Sequence, residues 1–452
     1  MRTAVSVRRP LAWVTVTLLV LLLCAVTSTR PARSAPLPSV TPSVAGHLLF
    51  SAQPYASPPT TAQCEATFHI ACYSPVQYAT AYRTHELNEL GITGRGTTIA
   101  VVDSFGSPSI THDLHTFDRA FGLPDPPSLR TIAPSGPIPP FDASNSDMVG
   151  WAVETTLDVE YAHAMAPQAN ILVVATPVSE TEGLTGIPQI VRAENYVIDH
   201  HLADVISQSF SATEQTFPGG GPVPESLRSA FVKARAAGVT VLAATGDTGA
   251  TNYKPDASHL YPRRVVGWPA TDPLVTAVGG TQLHLDAAGH RTSPDVVWND
   301  GYGAGGGGLS SWFDRPSYQD GVRSIVDGRR GIPDISMTAA VDGAAIVYFS
   351  FLPSAVGFHL VGGTSEATPM FGGIVALADQ LARHRLGDIQ GPLYTLGRFG
   401  GRAGIVDVTS GNNSFAGVTG FPAGPGYDLS SGLGTIDAIR FVPALVVAAR
   451  VS

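Results

Sequence analysis

The chain has 452 residues, 44% of them hydrophobic, with 48 glycines and 36 prolines that follow no fixed period. That is enough apolar material for one large core or two ordinary ones, and the lack of a repeat excludes a fibre. Setting aside the five arginines of the first 35 residues leaves 22 basic against 36 acidic side chains, a net of −14. Such a balance argues against binding nucleic acid or an anionic membrane surface.

Residues 1–35 combine five arginines, no acid and an apolar run from Leu11 to Val26. The run is shorter than the ~20 residues of a spanning helix. Basic-then-apolar order reads as a secretory leader, with a short membrane anchor as the alternative. A secreted protein with no stable membrane association is the expectation. Cys24 falls in the leader, so Cys64 and Cys72 remain, and in an exported protein they are expected to pair. Residues 36–72 form an N-terminal arm carrying this pair, its first part rich in Pro, Ser and Ala and read as loosely structured.

From Tyr73 onward the pattern is that of one folded domain, 73–452. "TTIAVVDS" (97–104) reads as a buried strand, residues 148–167 as a helix ending at Pro167, and "NILVVATP" (170–177) as a strand. A helix near 187–202 precedes a strand at 203–211. A second helix at 224–238 precedes a strand at 239–247. Further strands are read at 273–283 and 344–351, and a long helix from Ser365 to His384. This alternation predicts an α/β fold, a mostly parallel central sheet with helices on both faces. Such sheets carry chemistry at the carboxyl ends of their strands, where Asp103, Ser209, Asp247 and Ser365 all fall.

Glu154 and Asp158 lie four apart on the predicted helix and so share a face. Exposed pairs of this kind are ordinary solvated surface. Here Trp151, Val153, Leu157, Ala162 and Met165 make the helix apolar, and burial raises carboxyl pKa values into the range of acid–base work. Ser365, in "VGGTSEATPMFGG" (361–373), follows a glycine-rich approach and opens a helix; a serine hydroxyl becomes a nucleophile only when a neighbour takes its proton. Asp247, in "AATGDTG", follows a buried strand; an aspartate there can donate to an oxyanion only when protonated.

Taken with "YSPVQYATAY", "VISQSFS", "VTAVGGT" and the closing "DVTSGNN…AGPGYDLSSGLG", these blocks resemble, in order, the sedolisins, serine-carboxyl peptidases of subtilisin-like fold. The resemblance runs from about Tyr73 to Ile436. It implies Ser365 as nucleophile, Glu154 as general base, Asp158 orienting Glu154, and Asp247 as oxyanion donor beside the Ser365 N–H. It leaves Asp103 open between a supporting acid and the triad aspartate of subtilisins. It implies one Ca²⁺, held by Asp407 and Asp428 with the carbonyls of Val408, Gly424 and Gly426; oxygen ligands on glycine-rich turns suit that ion. A protein or peptide substrate and a monomeric enzyme follow from the same resemblance.

Three departures stand out. Residues 36–72 are too few for a large propeptide, Phe210 replaces a tryptophan of some relatives, and Glu366 follows the nucleophile where a small residue is usual. Glu366 would either add a charge beside the site or point into solvent. His112, His115 and His163 are the residues a histidine-dependent subtilisin reading would need, and their spacing suits structural or surface positions better. A non-catalytic peptide-binding relative is a further alternative, although the serine and its acids are all present. "GAGGGG" (303–308) matches a nucleotide-loop spacing by form only, since no strand runs into it.

Overall fold

The structure is a computed structural model that describes residues 40–42, 54–180, 186–217 and 223–450. The leader lies outside the described residues, as does most of residues 36–53. Eight strands form the central sheet. Thr98–Ser104 lies near its middle, flanked in parallel by Asn170–Thr176 and Val205–Gln208. Thr240–Ala244, Thr276–Gln282 and Ile335–Thr338 continue it in parallel on one side, and Leu129–Ile132 on the other. Only the short Val296–Val297 runs antiparallel.

Side-chain alternation divides this sheet between two cores. Ile99, Val101, Ile171, Val173, Val205 and Leu242 face one; Ala100, Val102, Leu172, Val174, Ile206 and Val241 face the other. The first core is covered by the helices Ser146–Met165 and Thr364–Ala382, the second by Ile187–Asp199 and Ser229–Ala237. The expected two-faced α/β architecture is therefore present. Among the described residues no helix is long and apolar enough to cross a membrane.

Some elements differ from the sequence reading. The strand expected at 203–211 is two strands. Val205–Gln208 belongs to the central sheet, whereas Phe210–Thr213 joins a small sheet with Val40–Pro42 and Gly267–Trp268. The apolar run continues through Ser209, so periodicity alone could not mark the break. The strand expected at 344–351 ends at Phe349 and pairs with Gly357–Val361 and Cys72–Tyr73, apart from the central sheet. "THDLH" lies within a helix, Ile110–Phe121. The arm is not wholly irregular: it contributes the strand Val40–Pro42 and a helix, Thr61–Phe68, whose Thr60 makes a capping box with Gln63. Cys64 and Cys72 are joined by a disulfide.

The two helices over the first core meet without an intervening side chain at Gly373. A Cβ there would stand 2.5 Å from Met165 Cβ and 3.0 Å from the Ala162 carbonyl oxygen. Both helices start at the carboxyl edge of the sheet and run back across it. About two turns before this contact lie Ser365 on one helix and Glu154 on the other, with Asp158 one turn after Glu154.

Gly373→Ala tests this contact. Alanine favours an isolated helix by about 1 kcal/mol, but overpacking typically costs about 1–3 kcal/mol. The expected net outcome is lower stability in urea unfolding; equal or greater stability would mean that the helices do not depend on this approach.

Candidate active site

Ser365 lies in the first turn of Thr364–Ala382, and the chain enters that turn through two glycines. At Gly362 a Cβ would meet the Val341 amide nitrogen at 2.9 Å and the Ala339 oxygen at 3.0 Å. Gly363 has φ +151° and donates its N–H to the Ala339 carbonyl at 2.7 Å. Only glycine fits such a backbone. Pro369 lies four residues after Ser365 and has no N–H, so the Ser365 carbonyl lacks its usual helical donor. The serine is fully buried, and its Oγ has no hydrogen-bond partner among the described residues.

Asp247 follows the strand Thr240–Ala244 and is tied to the residue before the serine. Its Oδ1 accepts from the Thr364 N–H and from Thr364 Oγ1, both at 2.8 Å. Thr364 Oγ1 in turn accepts from the Gly246 N–H at 3.1 Å. Burial pushes Asp247 up to about 7, and the two Thr364 bonds only partly offset it. Both Thr364 bonds fall on Oδ1. The glycine run 303–308 packs behind it: the Ala304 N–H donates to the Asp247 carbonyl at 3.0 Å, and Gly306 to that of Gly246 at 2.7 Å. Cβ atoms at Gly305, Gly306 and Gly307 would strike neighbouring backbone, so the run serves close packing.

Glu154 and Asp158 are both fully buried. Ser209 Oγ donates to Asp158 Oδ1 at 2.9 Å, at the residue where the chain passes from one sheet to the next. Asp158 is raised well above the usual carboxyl range, first by burial and then by Asp103 and Glu154 nearby. Asp103, at the end of Thr98–Ser104, is pushed up by burial to about 7 against a partial offset from the Thr155 hydroxyl. Glu366 does not point into solvent: it is fully buried, and burial raises it strongly despite the Tyr78 hydroxyl. Phe210 is buried in the second core.

The three histidines are engaged elsewhere. His163 Nε2 lies 2.8 Å from the Pro124 oxygen and 3.2 Å from Asp118, deep in the protein. His115 pairs with Asp125 at the surface, and His112 packs edge-on against Tyr348.

In the closing segment Asp407 Oδ2 accepts from the Gly426 N–H at 2.8 Å, and Asp428 Oδ2 from the Gly424 N–H at 3.0 Å. Asp428 Oδ1 takes the N–H and hydroxyl groups of Ser430 and Ser431 at 2.8–3.0 Å. Asp407 is raised by burial, and after the opposing Gly426 N–H the charge of Asp428 adds to the shift.

Residues 144–388 match the sequence pattern of the Subtilase family, more than half of the chain. Kumamolisin from Bacillus sp. (strain MN-32) is 31% identical over 394 residues, covering 83% of this chain and 64% of that protein. Sedolisin from Pseudomonas sp. (strain 101) is 30% identical over 379 residues, covering 81% of this chain and 60% of that protein. The solved structure of Pseudomonas sedolisin, complexed with two molecules of pseudo-iodotyrostatin, superposes with a TM-score of 0.69 at 28% identity, covering 83% of this chain and 98% of that one. The chain belongs to the sedolisin group of the subtilase family. It spans less than two thirds of the length of these curated relatives.

One buried acid of this sedolisin-family chain escaped the sequence reading. Glu180 is fully buried, bonds Ser104 Oγ through Oε2, and is raised by burial with Asp103 and Glu154 among the charges facing it. Its signal was positional: it lies four residues past the end of Asn170–Thr176, at the same sheet edge as Asp103. Trp151, on the helix of Glu154, donates to Ser179 Oγ at 3.2 Å and ties that turn over the acids.

The raised Asp247 has a consequence for stability. The unfolded chain releases this proton near 4 and the folded one near 7, so the folded form binds more protons between them. The stabilisation is complete below about pH 4 and is lost as pH rises through 7. Urea unfolding of Asp247→Asn should therefore weaken less than wild type between pH 4 and 8, by at most about 4 kcal/mol. Parallel pH dependences would show that Asp247 is not protonated in the fold.

Proposed function

We propose that the chain is an exported serine-carboxyl peptidase that hydrolyses peptide bonds at acidic pH. The observation that carries this reading is the buried Asp247, its pKa raised by that burial, hydrogen-bonded to Thr364, one residue before the serine. Glu154 takes the Ser365 proton as Oγ attacks the scissile carbonyl carbon. Asp158, held by Ser209, orients Glu154. The developing oxyanion receives hydrogen bonds from the Asp247 carboxyl proton and the Ser365 N–H, donors fixed before the charge appears. Glu154 then protonates the leaving amine. Water hydrolyses the acyl-enzyme with Glu154 again as base. The substrate is a protein or peptide, and the enzyme works as a monomer.

The reading needs Glu154 ionised and Asp247 protonated at once. Asp103 and Asp158, both raised, keep their protons in acid and so do not add charge beside Glu154. Glu154→Gln is expected to lower kcat by roughly 10²–10⁴-fold with the fold unchanged. Alanine at His112, His115 or His163 should leave kcat within a factor of about two. Wild-type kcat/KM should fall as pH rises through about 7, and Asp247→Asn should extend activity to higher pH. A well-folded histidine variant that loses turnover, with Glu154→Gln still active, would reverse the assignment.

The closing segment is assigned to one Ca²⁺. What supports a hard cation is a pair of carboxylates near enough that the charge of Asp428 raises Asp407, on a glycine-rich turn. Asp407 and Asp428 would hold the ion with the carbonyls of Val408, Gly424 and Gly426. The ion would neutralise the two acids and cross-link the last loops, stabilising only the folded chain. Chelation with EGTA is expected to lower Tm by several degrees, with Asp428→Ala insensitive to the chelator. Identical melting of the metal-free and calcium-loaded protein would remove the ion from this account.

A further inference from the structure

Ser365 opens the helix Thr364–Ala382, and the same helix ends at the opposite edge of the central sheet. Asp379 lies in its last turn, about 21 Å from Ser365 along the axis at ~1.5 Å per residue. There a pocket of about 390 Å³ lies where three segments meet: the helix end with the residues after it, the turn before Thr98–Ser104, and the start of Val205–Gln208. Its size is that of a small-ligand site.

The guanidinium groups of Arg95, Arg383 and Arg385 line this pocket beside two acids, Asp204 and Asp379. Asp204 is already engaged: its Oδ2 accepts the Thr98 N–H at 2.7 Å and its Oδ1 accepts Arg385 Nε at 2.5 Å. That ion pair holds Arg385 in place and leaves both of its η-nitrogens over. Arg95 is held as firmly. Gln380 Oε1 accepts the N–H groups of Thr93, Gly94 and Arg95 at 2.7–3.1 Å, and Arg95 Nε donates to Gln168 at 2.8 Å. Arg383 caps the helix with its backbone, and its exposed side chain has no carboxylate partner among the described residues.

Asp379 is 3% exposed. Its Oδ1 accepts the Leu386 N–H at 2.8 Å, and its Oδ2 is buried with no hydrogen-bond partner among the described residues. Burial raises Asp379 to about 8; the charge of Asp204 adds to the shift, while the Leu386 N–H and Arg385 oppose it. Below that pH Asp379 is neutral, and three guanidinium groups stand against the single charge of Asp204. A chain of net charge −9 thus concentrates positive charge in one concave place. The carbonyl end of the helix opposes an anion with about half a charge, less than this excess.

We propose that this pocket binds a small oxyanion, a phosphate or carboxylate group, gripped by the η-nitrogens of Arg95 and Arg385 with the guanidinium of Arg383. Guanidinium groups match both chemistries with paired N–H donors. A bound anion ties the turn at Arg95 to the end of the helix that carries Ser365, and so stabilises only the folded chain. The groups that set the local charge with pH are Asp379, Asp204 and His384, whose Nδ1 lies 2.8 Å from the Arg385 carbonyl oxygen. Above about pH 8 Asp379 ionises and repels the anion. The site does not depend on the peptidase reading.

The full chain is titrated calorimetrically at pH 5 with inorganic phosphate and, separately, with succinate. Saturable binding of at least one of them, one per chain, is expected, with Tm raised by the same anion. Arg95→Gln/Arg383→Gln should bind it at least tenfold more weakly, and Arg383→Gln alone at least threefold, both melting like the parent without ligand. Between pH 6 and 9 the parent's affinity should fall at least threefold relative to that of Asp379→Asn, a ratio in which the ligand's own protonation cancels. Tighter binding of phosphate assigns the pocket to phosphate groups and tighter binding of succinate to carboxylates; either supports the site. Binding of neither anion, undiminished binding by both arginine variants, or parallel pH dependences in the parent and Asp379→Asn overturns the proposal.

Discussion

The site depends on carboxyl groups buried beside one another, with the proton taking the place of a countercharge. Moving an ionised carboxylate out of water costs several kcal/mol unless it is paired. The charges acting on Asp158 are Asp103 and Glu154, which are acids, not cations. Each buried acid that keeps its proton escapes that cost. Asp103, Asp158, Glu180, Asp247 and Glu366 all have pKa values raised chiefly by burial. A chain with two lysines among 452 residues has few amines to offer these positions.

That electrostatic arrangement stands on close backbone packing. Glu154 and Ser365 are carried by separate helices, and helices meet closely only where a side chain is missing. Gly373 against Ala162 and Met165 provides this. Gly362 and Gly363 let the turn before Ser365 pass against Ala339 and Val341, and Gly306 presses its loop onto Thr245 and Gly246. The alternating strand residues fix the helices on both faces of the sheet, and the parallel strands end at one edge, where Asp103 and Asp247 lie.

Much of this was legible in the sequence because it follows from local pattern. The buried strands, the apolar helix bearing Glu154 and Asp158, and the glycine turn before Ser365 each carry a periodicity or composition of their own. What was not legible depends on distant partners. The break at Ser209 falls where its hydroxyl reaches Asp158, fifty-one residues away in the chain. Ala344–Phe349 looks like any core strand, and only its partners, Cys72–Tyr73 and Gly357–Val361, place it apart from the central sheet. Glu366 could be read as solvent-facing because its burial depends on a helix packed from elsewhere. The arm reads as irregular because three residues of strand acquire their meaning only from the edge they cover.

The same protons join stability to chemistry. A carboxylic acid that donates to an oxyanion must be neutral, and the cheapest way to keep it neutral is to bury it. Burial also makes the ionisation of Asp247 a cost to the folded state, so the fold weakens as pH rises toward and through about 7. A histidine base imposes no such link, because its neutral form is compatible with burial at neutral pH. In this chain the buried His163 is spent on Asp118 and the Pro124 carbonyl, away from the serine. On the proposed reading the acids set both limits, and a substitution that moved the chemistry toward neutral pH would also have to relieve the burial that raises Asp247.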